Sequence, residues 1–202
     1  MRVIGLTGGI GCGKSEVRRM LAEAGIKVLD ADTLARDLTE SNEGIVRAIK
    51  EEFGEGIYGP DGRLRRKELA AIVFDDRKKL DKLNAIIHPR VMSTVERELE
   101  RLQEQGEEIA VVEAALHYEV NWNEAMDAMV VVSAPMEKRI AWLKQRDGVE
   151  EAAIRARMAN QIPLEEKVAQ ADYVVENTGD REELRAAVRK LIDWMHERVS
   201  DV

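Results

Sequence analysis

The chain has 202 residues, 45% of them hydrophobic and 35% charged, with a net charge of −8. That composition describes a globular chain with one sizeable core and no membrane-spanning run, and an acidic balance argues against a nucleic-acid partner, which needs an exposed basic surface. A single cysteine, Cys12, excludes a disulfide framework and a cysteine-based zinc cluster and points to the cytoplasm.

The first predicted element is a strand, Val3-Ile4-Gly5-Leu6, followed by Gly8-Gly9-Ile10-Gly11-Cys12-Gly13-Lys14-Ser15 and an amphipathic helix marked by Val17, Met20, Leu21 and Ala24. The spacing of Gly8 and Gly13-Lys14-Ser15 between a strand and a helix is that of the phosphate-binding loop. Glycines let successive backbone N–H groups turn inward around phosphate oxygens, and the helix start adds its positive dipole end. Lys14 can then reach the β- and γ-phosphates of a nucleoside triphosphate, and the Ser15 hydroxyl can ligate Mg²⁺. Cys12 reads as a small side chain tolerated in a tight loop rather than as a nucleophile.

A second strand, Ile26 to Leu29, ends in Asp30-Ala31-Asp32. In an open parallel sheet this end faces the same crevice as the phosphate loop. Asp32 is therefore either the group that deprotonates an attacking hydroxyl or the N-cap of a helix from Thr33, and the residues leave both open. From Ser41 to Gln105 the pattern is helical. Ser41 is the expected cap before Ile45, Ile49 and Phe53, and glycines 54 to 62 form a break. A helix is expected over Leu64 to Phe74. A longer one should kink or restart at His88-Pro89. Apolar segments at Ile109–Val112, Met129–Val132 and Tyr173–Val175 supply the third, fourth and fifth strands. The basic residues Lys138, Arg139, Lys144, Arg146, Arg155 and Arg157 follow the fourth strand. They form either a solvated helix face or a cluster that closes over transferring phosphates. Asp180 is the expected cap of a last helix with a plain packing stripe.

In this order the chain resembles the dephospho-coenzyme A kinases. The resemblance is carried by Gly5 to Ser15, Asp30-Ala31-Asp32 with Ala35-Arg36, Asp61-Gly62, Phe74, His88-Pro89, Gln161, Ala171-Asp172-Tyr173, Asn177 and Gly179. It implies an α/β P-loop NTPase fold: a five-stranded parallel sheet flanked by helices, in one kinase domain over residues 1–202. The core would be residues 1–33, 107–136 and 171–202, with a helical acceptor-binding insertion at about 34–106 and a lid at about 137–170. The implied reaction is ATP-dependent phosphorylation of the ribose 3′-hydroxyl of dephospho-CoA, with Mg²⁺, in a monomer or weak homo-oligomer. Asp32 then becomes the catalytic base, assisted by Lys14, Arg146 and Arg139. ATP would meet Gly8, Gly9, Gly11, Cys12, Gly13, Lys14, Ser15, Glu16 and, near the adenine, Asn177. The acceptor would meet Thr7, His88, Leu116 and Tyr118.

Two departures stand out. Where the family usually has Asp-x-Pro-Leu-Leu-aromatic-Glu, this chain has Glu113-Ala114-Ala115-Leu116-His117-Tyr118-Glu119. In the lid, a Gln and an Arg three residues later are here Arg139 and Trp142, so Arg139, one turn away, is expected to stand in for the missing guanidinium. These departures keep a second kinase reading with a different acceptor open, and beside it a nucleotide-binding regulator. No Asn-Lys-x-Asp guanine-reading element occurs to support a GTP switch.

Overall fold

Five runs rich in apolar residues pair side by side in a computed structural model, which describes residues 1–74 and 76–200, without the side chains of Phe74 and Ser200. The Phe74 side chain, one of the motif residues, thus lies outside what is described. The strands are β1 (Arg2–Gly8), β2 (Lys27–Asp30), β3 (Ile109–Glu113), β4 (Ala128–Ser133) and β5 (Tyr173–Glu176), arranged in the order β2-β3-β1-β4-β5 with every pair parallel. β3 is buried along its whole length, which is why it reads as an uninterrupted apolar run rather than an alternating one. Register places Leu6 and Asp30 opposite Glu113, and Gly8 opposite Val132, so the ends of β1, β2 and β3 share the carboxyl edge of the sheet.

The chain divides into two compact units. The first comprises Met1–Asp30 and Leu99–Val202. Its helices are α1 (Lys14–Glu23), α6 (Met136–Asp147), α7 (Glu151–Ala159), α8 (Leu164–Ala169) and α9 (Arg181–Ser200). Ile4, Leu6, Val17, Leu21, Val130, Val131, Leu191 and Met195 form its core. Asp180 caps α9 as expected, its Oδ1 accepting from the backbone N–H groups of Glu182 and Glu183.

The second unit, Ala31–Glu98, holds α2 (Ala31–Ser41), α3 (Glu43–Phe53), α4 (Arg66–Phe74) and most of α5 (Arg77–Glu104). Ile45, Ile49, Ile57, Tyr58, Leu64, Leu69 and Val73 fill its own core, and the Tyr58 hydroxyl donates to the carbonyl of Thr39 at 2.7 Å.

Three local expectations change here. The cap of α3 is Asn42, whose Oδ1 accepts from Ile45 N at 3.0 Å, while Ser41 ends α2 and turns its hydroxyl back to Asp37 O. The side chain that reaches a free N–H at the third helical position wins the cap. Leu64 lies in a bridge to Tyr58 that closes the glycine turn, so α4 starts two residues later. Pro89 does not break its helix: α5 runs through it, and Arg90 donates from Nη1 to Ile86 O at 3.1 Å beside the turn that lacks a proline N–H.

Candidate active site

At the carboxyl edge of the sheet, β1 ends at Gly8 and α1 begins at Lys14. The intervening loop has Gly11 at φ +80° and Gly13 at φ +86°, a left-handed backbone that a side chain would strain. Gly13 is also crowded: a Cβ there would collide with the Asn177 amide. Cys12 is buried, and burial pushes its thiol above the ordinary range, which makes it inert in this setting. Ser15 is exposed in the first turn of α1.

Lys14 and Arg18 are one turn apart on α1 and meet the same acid. Lys14 Nζ lies 2.7 Å from Glu113 Oε1, and Arg18 Nε lies 2.9 Å from Glu113 Oε2. Arg18 also pairs with Asp30 at the end of β2. Glu113 is 3% exposed, and its Oε2 accepts no hydrogen bond, so the contact with Arg18 is an ion pair without hydrogen-bond alignment. Glu16, on the same helix, accepts from Arg19 and Arg181. The Arg19 bond first, and Arg181 after it, hold the Glu16 carboxyl down to about 2.

The segment after β3 is fixed from several sides. Thr7 is buried and its hydroxyl donates to Ala115 O at 3.3 Å. Lys167 on α8, fully buried, donates to the same carbonyl at 3.1 Å and lies 2.7 Å from Glu119 Oε1. Ile162 N donates to that carboxylate oxygen at 3.0 Å. His117 is buried with Nε2 2.8 Å from Val112 O, so that nitrogen carries the proton. Tyr118 belongs to the main core, and Leu116 is partly exposed. The substitutions that remove the usual proline and leucine therefore fall in a turn held by side-chain bonds to its backbone.

The remaining residues singled out from sequence are more dispersed. Asn177 donates from Nδ2 to Cys12 O at 3.0 Å, and so touches the phosphate loop itself. Arg139 is 4% exposed, with Nε 2.9 Å from Ile10 O. Its guanidinium lies against the phosphate loop, close enough that a Cβ on Gly9 would meet it, and Trp142 packs on the main core. Arg146 is exposed near the end of α6 and bonded to Asp147. Asp32 and His88 belong to the second unit. Asp32 is exposed inside the first turn of α2, which begins at Ala31, so it is not the cap before that helix. His88 is partly buried, and burial keeps its imidazole below its ordinary pKa.

Sequence reading left Arg18, Lys167 and Gln161 without roles and treated Glu113 only as a departure. The four-residue spacing of Lys14 and Arg18, and an acid closing an otherwise apolar strand, were the available signals. No cluster of three or more acidic, histidine or cysteine ligands occurs among the described residues.

Comparison with known proteins adds to this geometry. A family model described as dephospho-CoA kinase matches residues 2–183. A Corynebacterium glutamicum dephospho-CoA kinase is 39% identical over 98% of both chains, and one from Anaeromyxobacter dehalogenans is 43% identical over 95% of this chain and 91% of its own. Among solved structures, a Thermus thermophilus protein superposes with TM-score 0.83 at 36% identity, covering 95% of this chain and 96% of its own. Dephospho-CoA kinase from Campylobacter jejuni gives 0.72 at 26%, covering 96% and 98%.

Proposed function

The chain belongs to the dephospho-CoA kinase family and is a kinase of the last step of coenzyme A synthesis; from that premise we propose that it moves the γ-phosphoryl group of Mg-ATP to the ribose 3′-hydroxyl of dephospho-CoA. The observation that carries the reading is the glycine loop of β1–α1 with the Lys14 ammonium poised beside Glu113 at the carboxyl edge of the sheet. Phosphoryl transfer asks little covalent chemistry of a protein; positioning and charge stabilisation do most of the work.

In this reading the loop N–H groups bind the β- and γ-phosphates, and Lys14 exchanges Glu113 for phosphate oxygens when ATP arrives. Asp32 takes the proton of the attacking hydroxyl, a role its exposure in the first turn of α2 permits. Arg146, which pairs with the surface carboxylate of Asp147, can reach toward the charge that develops on the transferring group. The residues present fit Mg²⁺: the Ser15 hydroxyl, exposed in the first turn of α1 beside the phosphate loop, offers a hard oxygen ligand. When bound, Mg²⁺ neutralises charge on the β- and γ-phosphates. Thr7, Leu116, Tyr118 and His88 are assigned to the acceptor side, and residues 31–98 to its helical lobe. Glu16, Cys12 and Asn177 are assigned to the nucleotide side.

The test is ADP release from Mg-ATP with and without dephospho-CoA, run beside Asp32→Asn. Turnover should depend on the acceptor and fall by roughly 10²- to 10⁴-fold in the variant, the range of general-base loss, with the protein equally stable. Mg-ATP binding without acceptor-dependent turnover would overturn the substrate assignment.

A further inference from the structure

Ile10, at the tip of the phosphate loop, is held at all three of its groups by residues far along the chain. Its N–H donates to Gln161 Oε1 at 3.3 Å, and its carbonyl accepts from Arg139 Nε at 2.9 Å. Its side chain packs against Ile140, Leu143 and Ile154 of α6 and α7. Two residues on, the Cys12 carbonyl accepts from Asn177. A phosphate loop works when most of its N–H groups face inward, which turns carbonyls outward, and an outward carbonyl partly withdrawn from water needs a donor. Arg139 and Asn177 are those donors. The approach is close: a Cβ on Gly9 would come within 2.6 Å of Arg139 Nη2, and one on Gly11 within 2.8 Å of Leu143 Cδ1.

We propose that Arg139 is a positioning residue, which acts through the Ile10 carbonyl to keep the phosphate loop in its triphosphate-binding shape, and does not place its charge over the transferring phosphate. This deepens the kinase reading and rests on it. Arginine is used here for the donor on Nε, and covalent structure makes the idea decidable. Glutamine carries an N–H on the same Cδ atom, so it offers a donor at the same reach with no charge. Lysine keeps the charge but puts a methylene where Nε was.

The experiment compares Arg139→Met, Arg139→Gln and Arg139→Lys by Mg-ATP affinity without acceptor, by KM and kcat with dephospho-CoA, and by thermal unfolding. Arg139→Met should weaken Mg-ATP binding about tenfold, as expected for a part-buried carbonyl left without this donor, with KM for the acceptor unchanged. Arg139→Gln should recover most of that loss and Arg139→Lys should not. Should Arg139→Met fail to fold, the ranking of the other two decides. Any result in which lysine equals or exceeds glutamine overturns the proposal, and lysine alone recovering would assign the residue to charge on the phosphates. Failure of the kinase reading shows separately, as a wild-type protein that binds Mg-ATP without acceptor-dependent turnover.

Discussion

The Lys14 ammonium lies 2.7 Å from Glu113, whose side chain is 4% exposed at the end of the most buried strand. Arg18 meets the other oxygen of the same carboxylate. Removing Glu113 therefore takes a buried carboxylate from two cations at once, although Arg18 keeps its pair with Asp30. Glu113→Ala should lower stability by about 3 kcal/mol, the scale for breaking a buried ionic group, as read from urea unfolding. An unchanged midpoint would mean that the pair contributes nothing to the free protein.

Arg146 offers the opposite case. Its side chain is 68% exposed, and its bond to Asp147 is a surface pair of little worth to the fold. Arg146→Ala should leave the unfolding midpoint within about 0.5 kcal/mol while kcat falls about a hundredfold or more. Full activity in the variant would remove Arg146 from the mechanism.

The ammonium of Lys167 has no access to water and is held by Glu119 and Ala115 O. Lys167→Met should cost about 3–5 kcal/mol, because the Glu119 carboxylate loses its counter-charge. Adding Glu119→Gln should restore part of the loss, since a neutral amide oxygen still accepts from Ile162 N. A double variant no more stable than the single one would show that charge is not the issue.

Acid sensitivity follows from Glu16. Its carboxyl is held at about 2 rather than 4.5, so its bonds to Arg19 and Arg181 are fully present above pH 4.5 and are lost as the pH falls toward 2. Glu16→Gln should be less stable than the parent near neutrality by under about 1 kcal/mol, after discounting for solvent screening. The difference should shrink as the pH approaches 2 and vanish only below it. Stability curves of the two proteins from pH 2 to 7 measure this.

The parts of this site legible in the sequence were those written locally. Gly8, Gly13, Lys14 and Ser15 announce themselves because one loop carries the whole pattern. β3 does so because a doubly covered strand must be apolar throughout. Arg139 and Lys167 were opaque for the converse reason. A basic residue on a short helix looks solvated until its partner is known, and Ile10 is 129 positions from Arg139. Pro89 misled because the rule against helical proline concerns one missing bond and one clash, which a long, well-packed helix can absorb. The cap at Asn42 differed from Ser41 by a single residue, the ordinary reach of neighbouring polar side chains competing for one N–H.

The central strand has its own consequence for the newborn chain. β1 is made first, yet its partners begin at Ile109 and Ala128, and the Asn177 that holds Cys12 lies 165 positions from it. Residues 31–98 can close their own core while β1 still waits, since long-range parallel pairing is slow and needs both strands present. Nucleotide binding should thus be gained only once Asn177 has emerged, and a ribosome-held chain stopped short of it would present its glycine loop unset.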